Sequence, residues 1–405
     1  MRGWVARRGW QTAGAAGMLA LVLPSRLLPH PLPVDLAIGA VAALLGYLLA
    51  AGARSAVRAV LPRAPALSRL ALLLTITLMV TAGLRTRARL IDLRTEIGLP
   101  GSASDATYHA VVAVLGASLS AALVVGLVSL LRRLSWPHLA FLAALPLVFG
   151  VLVSARSGPQ SLGPKGAEFL ADARDAATIS AITQRPASTP HRIYIPLDAA
   201  PSHRGRARAA VEATAGDGGF DTAAVLLIIP TGSGWVNPRI ARTVEELYDG
   251  DLTTVAVQYG TTPSWQAYLR GGAGVQESAQ ELIRDMRTRI DQLPAGRRPK
   301  LLVYGESLGA WGLLPALDRP DSGVDAALLT GVPGNPQISS TDTAVLNHPD
   351  DPVPGWSLHL PPVSFLRASA DAIASEAVPI GHGHRYGAET TAAWCGLLQL
   401  PSCRG

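Results

Sequence analysis

Cysteine is nearly absent from this chain. The two that occur, Cys395 and Cys403, lie at the extreme carboxyl end, so no network of disulfides organises the fold. Charge is scarce as well. Only 16% of the 405 residues are charged while 49% are hydrophobic, and the mean hydropathy is +0.28. That balance excludes an ordinary soluble enzyme along the whole length. The net charge of +6 would suit a nucleic-acid partner, yet basic and aromatic residues do not interleave and no nucleic-acid motif is present. No internal repeat or low-complexity tract stands out. The run Gly271-Gly272-Ala273-Gly274 is too short for a dinucleotide fingerprint and follows no strand. It reads as a turn that opens a helix.

The oil is concentrated in the first 155 residues. Apolar runs cover about 12–29, 34–53, 67–84, 107–131 and 136–154, each near the roughly 20 residues a helix needs to cross a bilayer. Pro24 and Pro146 fall inside two of them, which membrane helices tolerate. The first run follows Arg2, Arg7 and Arg8 as a signal peptide would, but lacks a small-residue cleavage site and is read as a retained helix. Arg54, Arg58, Arg63 and Arg69 separate the second and third runs, and Arg132 and Arg133 the fourth and fifth. By the positive-inside rule these loops are cytoplasmic, so five spans put everything after about residue 155 outside and four would put it inside. Arg85, Arg87, Arg89 and Arg94 argue against the outer placement of the third loop. No ionisable residue lies near the middle of a run, which favours an anchor or lipid-holding platform over a transporter.

Residues 156–190 are polar and rich in Pro and Gly at both ends, and read as a linker around a short helix at about 166–183. From 191 to 405 the pattern alternates. Strands are expected at 191–197, 223–229, 253–258, 300–304, 324–330 and 343–347. Helices are expected at 204–215, 238–249, 274–292, 308–318, 362–376 and 388–399. Short, wholly apolar strands separated by helices predict an α/β domain, its mostly parallel sheet covered by helices on both faces.

Within that domain KLLVYGESLGAWG, residues 300–312, drives a buried strand into a sharp turn with Ser307 at the apex. Glycines at 305 and 309 let neighbouring backbone pass without a Cβ clash, the context a nucleophilic serine needs. A serine hydroxyl requires a base, and the base an orienting acid, in the chain order Ser, acid, His. After Ser307 the acid candidates are Asp351 and Asp350, in NHPDDPV beyond an apolar strand. The base candidates are His384 and His382 in GHGHRYG. Asp351 and His384 are preferred, with Asp350 and His382 as alternates. No carboxylate or cysteine has ligand spacing to these histidines, so no metal or other cofactor is expected. The oxyanion hole needs two backbone N–H groups. Leu308 supplies one, and Gly232 or Ser233 in IIPTGSGWVNP the other.

The motifs LGPKGAEFL, IIPTGSGWVNP, VAVQY followed by PSW, YGESLGAWG, DDPV and GHGHRY, taken in order, resemble the actinobacterial and proteobacterial membrane proteins described as α/β-hydrolase family with a membrane-spanning amino-terminal domain. The resemblance spans nearly the whole chain. It implies an α/β-hydrolase fold behind a helical membrane domain, a serine nucleophile at Ser307, and triad partners at Asp351 and the Gly-His-Gly-His histidines. The stretch between TGVPGNP and the Asp-bearing strand is shorter than in the family pattern, which bears on the acyl pocket and leaves the triad untouched. A membrane-anchored serine hydrolase of lipid acyl esters, an esterase, lipase or acyltransferase, is the resulting expectation. A membrane peptidase with the same triad and an idle scaffold or transport accessory are the alternatives. The expected compartment is the bacterial plasma membrane. A Cys395–Cys403 disulfide would agree with an extracytoplasmic catalytic domain.

Overall fold

The computed structural model describes residues 2–60, 68–131, 163–319, 322–338 and 342–403. Two compact units divide the chain. One comprises Met1–Arg156 with Pro349–Arg385, the other Ser157–His348 with Tyr386–Gly405.

The first unit is helical. Its elements are α1 (Arg2–Val22), α2 (Leu32–Val60), α3 (Ser68–Glu96) and α4 (Ala103–Leu131). Helices α2, α3 and α4 each hold a stretch long and apolar enough to cross a membrane, Leu32–Val57, Arg69–Glu96 and Ala103–Gly126. Their outer faces carry side chains such as Leu49, Leu73 and Leu123, each more than 60% exposed, as lipid-facing positions would. The first apolar run behaves differently from the sequence expectation. Its helix stops at Val22 and the chain loops through Pro24, Pro29 and Pro31. A helix usually ends before a proline, whose ring would clash with the carbonyl four residues back. The fifth run, 136–154, lies outside the described residues. Helices α1 and α2 cross at Gly14 and Gly46, where a Cβ on either glycine would strike the other's carbonyl.

Residues 349–385 lie within the stretch 191–405 read from the sequence as the α/β domain. They belong to the helical unit, and the helix Pro362–Ala374 packs on α1 and α2 through Leu366, Val363 and Phe365 against Val22, Ala42, Met18 and Ile38.

The unit also buries polar groups. His30, in the loop before α2, bonds through Nδ1 to Asp35 (2.8 Å) and through Nε2 to Asp371 (3.0 Å), while His109 Nε2 meets the other oxygen of Asp35 at 2.8 Å. Burial alone would drive the His30 imidazole down. The hydrogen bonds and charges of Asp35 and Asp371 outweigh it and push His30 up to about 9. Because the folded value lies above the unfolded one, this stabilisation is complete below pH ~6.5 and is lost as pH rises through ~9. The loss amounts to about 3 kcal/mol. The melting temperature in detergent should therefore fall between pH 6.5 and 9.5; a flat profile would contradict the arrangement.

In the second unit, the residues expected as a linker form two helices, α5 (Gly163–Ala171) and α6 (Ala176–Thr183). The break falls where Asp175 caps α6 by accepting from the Thr178 N–H. This is no loose connection. Phe169 is fully buried in the core, and Gly166 lies against the Tyr194 ring.

There follow β1 (His191–Ile195), α7 (His203–Gly216), β2 (Ala224–Ile229), α8 (Pro238–Leu247), β3 (Leu252–Val257), α9 (Ser264–Leu269) and α10 (Ala273–Asp291). After them come β4 (Lys300–Glu306), α11 (Leu308–Leu317), β5 (Ala326–Thr330) and β6 (Thr343–Leu346). The helix of the first unit already described, Pro362–Ala374, is α12, and α13 (Glu389–Leu398) returns to the sheet. All six expected strands form and pair in parallel, in the order β1-β3-β2-β4-β5-β6. Alternate residues feed two cores. Val225, Leu227, Val255, Leu301 and Val303 pack with α7, α10 and α11, while Leu226, Ile228, Leu302 and Tyr304 pack with α8 and α13. Fully apolar strands are what burial on both faces demands.

Candidate active site

The strand order reverses around β2. The chain moves outward from β2 to β3, then crosses back to lay β4 on the other side of β2. Functional loops of open parallel sheets gather beyond the carboxyl ends of strands at such a point. Here β2 and β4 are paired with Ile229 opposite Gly305, so the PTGSG loop and Ser307 leave the sheet side by side.

Ser307 adopts φ 57° and ψ −120°, a left-handed conformation that costs a side-chain-bearing residue ~1–3 kcal/mol. Three restraints hold it there. Its N–H donates to the Thr330 carbonyl at 2.9 Å, its own carbonyl accepts from the Trp311 N–H at 3.0 Å, and helix α11 begins at the next residue. The flanking glycines are required by contact. A Cβ on Gly305 would come within 2.6 Å of the Ala310 nitrogen, and one on Gly309 would collide with the carbonyl of Ile229. Leu308, whose N–H is an expected oxyanion donor, opens α11 and is buried.

Beneath the elbow lies a polar network that sequence reasoning missed. Glu306, 7% exposed, accepts from the Tyr304 hydroxyl (2.9 Å) and from Asn237 Nδ2 (2.9 Å). Tyr304 Oη and Thr330 Oγ1 are 2.7 Å apart. The tyrosine has one hydrogen and gives it to the carboxylate, so the threonine donates here. Burial, with Glu306 alongside, raises the Tyr304 phenol well above its usual value. The only sequence signal was an acidic residue inside an otherwise apolar strand end.

The PTGSG loop is a tight turn. The Thr231 N–H donates to Trp235 O (3.0 Å), the Gly234 N–H to Thr231 O (2.8 Å), and Gly234 takes φ 85°. The Tyr194 hydroxyl donates to Gly234 O (2.8 Å) and fixes the loop from below. Of the two expected oxyanion donors here, the Gly232 N–H is directed to Ser264 Oγ at 3.1 Å. The Ser233 hydroxyl accepts from Lys165 Nζ of α5, which brings an ammonium beside this loop. No carboxylate among the described residues forms an ion pair with Lys165.

The acid and base candidates lie in the helical unit, where the structure pairs them in two sets. His384 Nδ1 is 2.8 Å from Asp351 Oδ2, and the other Asp351 oxygen accepts the Val353 N–H at 2.9 Å. His382 Nδ1 is 2.9 Å from Asp350 Oδ2, whose partner oxygen accepts the Gly383 N–H at 3.1 Å. The pairs differ in burial. Asp351 and His384 are buried at 6% and 7% exposure, whereas His382 and Asp350 are partly open to solvent. Near the carboxyl end of the chain, Cys395 and Cys403 form a disulfide.

Residues 191–357 match the model of the alpha/beta-hydrolase family. No protein of curated function matches the chain. Among solved structures it is similar to an acetylxylan esterase determined at 0.90 Å, with 14% identity over 38% of this chain and 95% of that one and a TM-score of 0.25. An iodinated complex of acetyl xylan esterase at 1.80 Å gives 16% identity, the same coverage and a TM-score of 0.23. The six-stranded parallel sheet with its covering helices is consistent with the alpha/beta-hydrolase fold of the family whose model residues 191–357 match, and it follows in sequence an amino-terminal region with three long apolar helices.

Proposed function

We propose that this protein is a membrane-anchored serine hydrolase that cleaves or transfers the acyl group of a lipid ester. The observation that carries the reading is the strained left-handed Ser307 between Gly305 and Gly309 at the end of β4. It is supported by the buried Asp351–His384 pair. Donation from His384 Nδ1 to Asp351 fixes the tautomer in which Nε2 is the basic nitrogen. Ser307 Oγ attacks the acyl carbonyl carbon while His384 takes its proton. The tetrahedral oxyanion is met by the Leu308 N–H and one from the Gly232–Ser233 turn, then collapses, expelling the alcohol with the proton returned by His384. Water or an acceptor alcohol resolves the acyl-enzyme.

Lipid as substrate follows from the apolar helices, which would hold the domain at a bilayer surface where acyl esters are concentrated. The Cys395–Cys403 disulfide favours an extracytoplasmic position at a bacterial plasma membrane. The decisive experiment is labelling of the intact membrane protein with a fluorophosphonate. Labelling is expected for the native chain and none for Ser307→Ala; a native chain that stays unlabelled would end the serine-hydrolase reading. Lipid profiles of a Ser307→Ala strain identify the ester that accumulates.

A further inference from the structure

The hydrolytic reading leaves one cluster of titratable side chains unused. His30, Asp35, His109 and Asp371 are each 6% exposed or less and form one hydrogen-bonded chain within the helical unit. His30 faces a carboxylate from each ring nitrogen. Carboxylates accept, so both nitrogens donate and the ring is an imidazolium between two anions. Burying such a set is costly. Apolar residues of similar volume commonly stabilise a fold at least as well, while directed hydrogen bonds select one register.

The register selected here leads to His384. Asp371 lies on α12, and besides His30 its Oδ1 accepts the backbone N–H of Leu28 (3.2 Å) and Leu27 (3.4 Å). The pinned Leu28 is fully buried with Val378 and Ile97. Its side chain also forms the wall against Gly383: a Cβ there would lie 3.1 Å from Leu28 Cδ1 and 2.9 Å from Val378 Cγ2. Gly383 takes φ 54° and stands between His382 and His384. A continuous run of contacts therefore joins α2 and α4 to the loop that carries the proposed base. It passes from His109 through Asp35, His30 and Asp371 to Leu28, and thence to Gly383.

We propose that Asp371 and His30 are positioning residues for His384, setting the base through Leu28 and Gly383 from the helices that also carry the chain's apolar spans. The proposal rests on the reading of His384 as the base of Ser307. It makes the helical unit a part of the catalytic apparatus as well as an anchor. Asp350 also holds that loop, accepting the Gly383 N–H at 3.1 Å.

The test uses the full-length protein in detergent, with a p-nitrophenyl butyrate assay and the fluorophosphonate labelling rate as readouts. Asp371→Ala should lower kcat by roughly tenfold or more with KM within about twofold, because a displaced base slows chemistry without altering substrate contacts. Asp371→Asn, which keeps an acceptor for the Leu28 N–H, should recover part of the loss. Leu28→Ala removes the wall without touching any charge and should lower kcat in the same way, which keeps the idea open to refutation if Asp371→Ala does not fold. Native kcat and labelling in a folded Asp371→Ala or Leu28→Ala protein would overturn the proposal. Failure of the underlying reading has a different signature, since the native chain itself would then show no Ser307-dependent labelling.

Discussion

Replacing His384 by glutamine should lower kcat on an acyl ester by about 10⁴-fold, and Asp351→Asn should cost a similar factor. The two losses have different origins. Without His384 nothing accepts the Ser307 proton, so attack must proceed through a neutral hydroxyl. With asparagine at 351 the imidazole remains, but the carboxylate that accepts from Nδ1 at 2.8 Å is replaced by an amide able to donate there. The basic lone pair then turns toward residue 351 and away from the nucleophile. Neither substitution changes side-chain volume much, so a folded protein with KM near native is expected. The parallel changes His382→Gln and Asp350→Asn discriminate between the two pairs. His382 is partly exposed and Asp350 acts mainly on the loop backbone, so their effect should stay within roughly tenfold. If the larger loss followed 350 and 382, the assignment of the base would have to be exchanged. The measurement is kcat and KM for the four purified variants.

The α/β half was legible because its strands announce themselves. AVLLII at 224–229 and LLVY at 301–304 are apolar without interruption, and all six predicted strands are found within about two residues of their predicted bounds. The elbow was legible for the same reason, since a Gly-Glu-Ser-Leu-Gly turn directly after such a strand has few other uses. Long-range packing was not legible. Residues 156–190 look like a linker because they are polar between proline-rich ends, yet within them Phe169 is buried in the core beside the sheet. Nothing in local periodicity reveals that α12 joins the helical unit, because an amphipathic helix does not name the surface it covers. The buried ionic chain was hidden by the same limit. Asp35 and His109 sit near the ends of apolar runs, where ionisable residues are ordinary, and only the fold brings them to His30 and Asp371. Glu306 was passed over inside a motif read for its serine.

Gly309→Ala should damage both stability and activity of the α/β unit. The added Cβ would collide with the Ile229 carbonyl and stand 3.1 Å from that of Pro230. Both obstacles are backbone, at the end of a central strand, with no flexible side chain to move aside. Relief would require α11 to lift from β2, and that shift would carry Leu308 and Ser307 away from the PTGSG turn. A cost of about 3 kcal/mol is expected, at the upper end for overpacking in a closely filled core. The functional loss should exceed the stability loss, because a nucleophile displaced by an ångström can lose two orders of magnitude in rate. Gly296→Ala is the matched control: a Cβ there meets nothing within 4 Å and the backbone is not left-handed. It should remain within about 0.5 kcal/mol of native. Urea unfolding followed by tryptophan fluorescence gives the first quantity, and the fluorophosphonate labelling rate gives the second. If Gly309→Ala unfolded like Gly296→Ala and labelled at the native rate, the close approach of α11 to β2 could not be what holds Ser307 in its strained conformation.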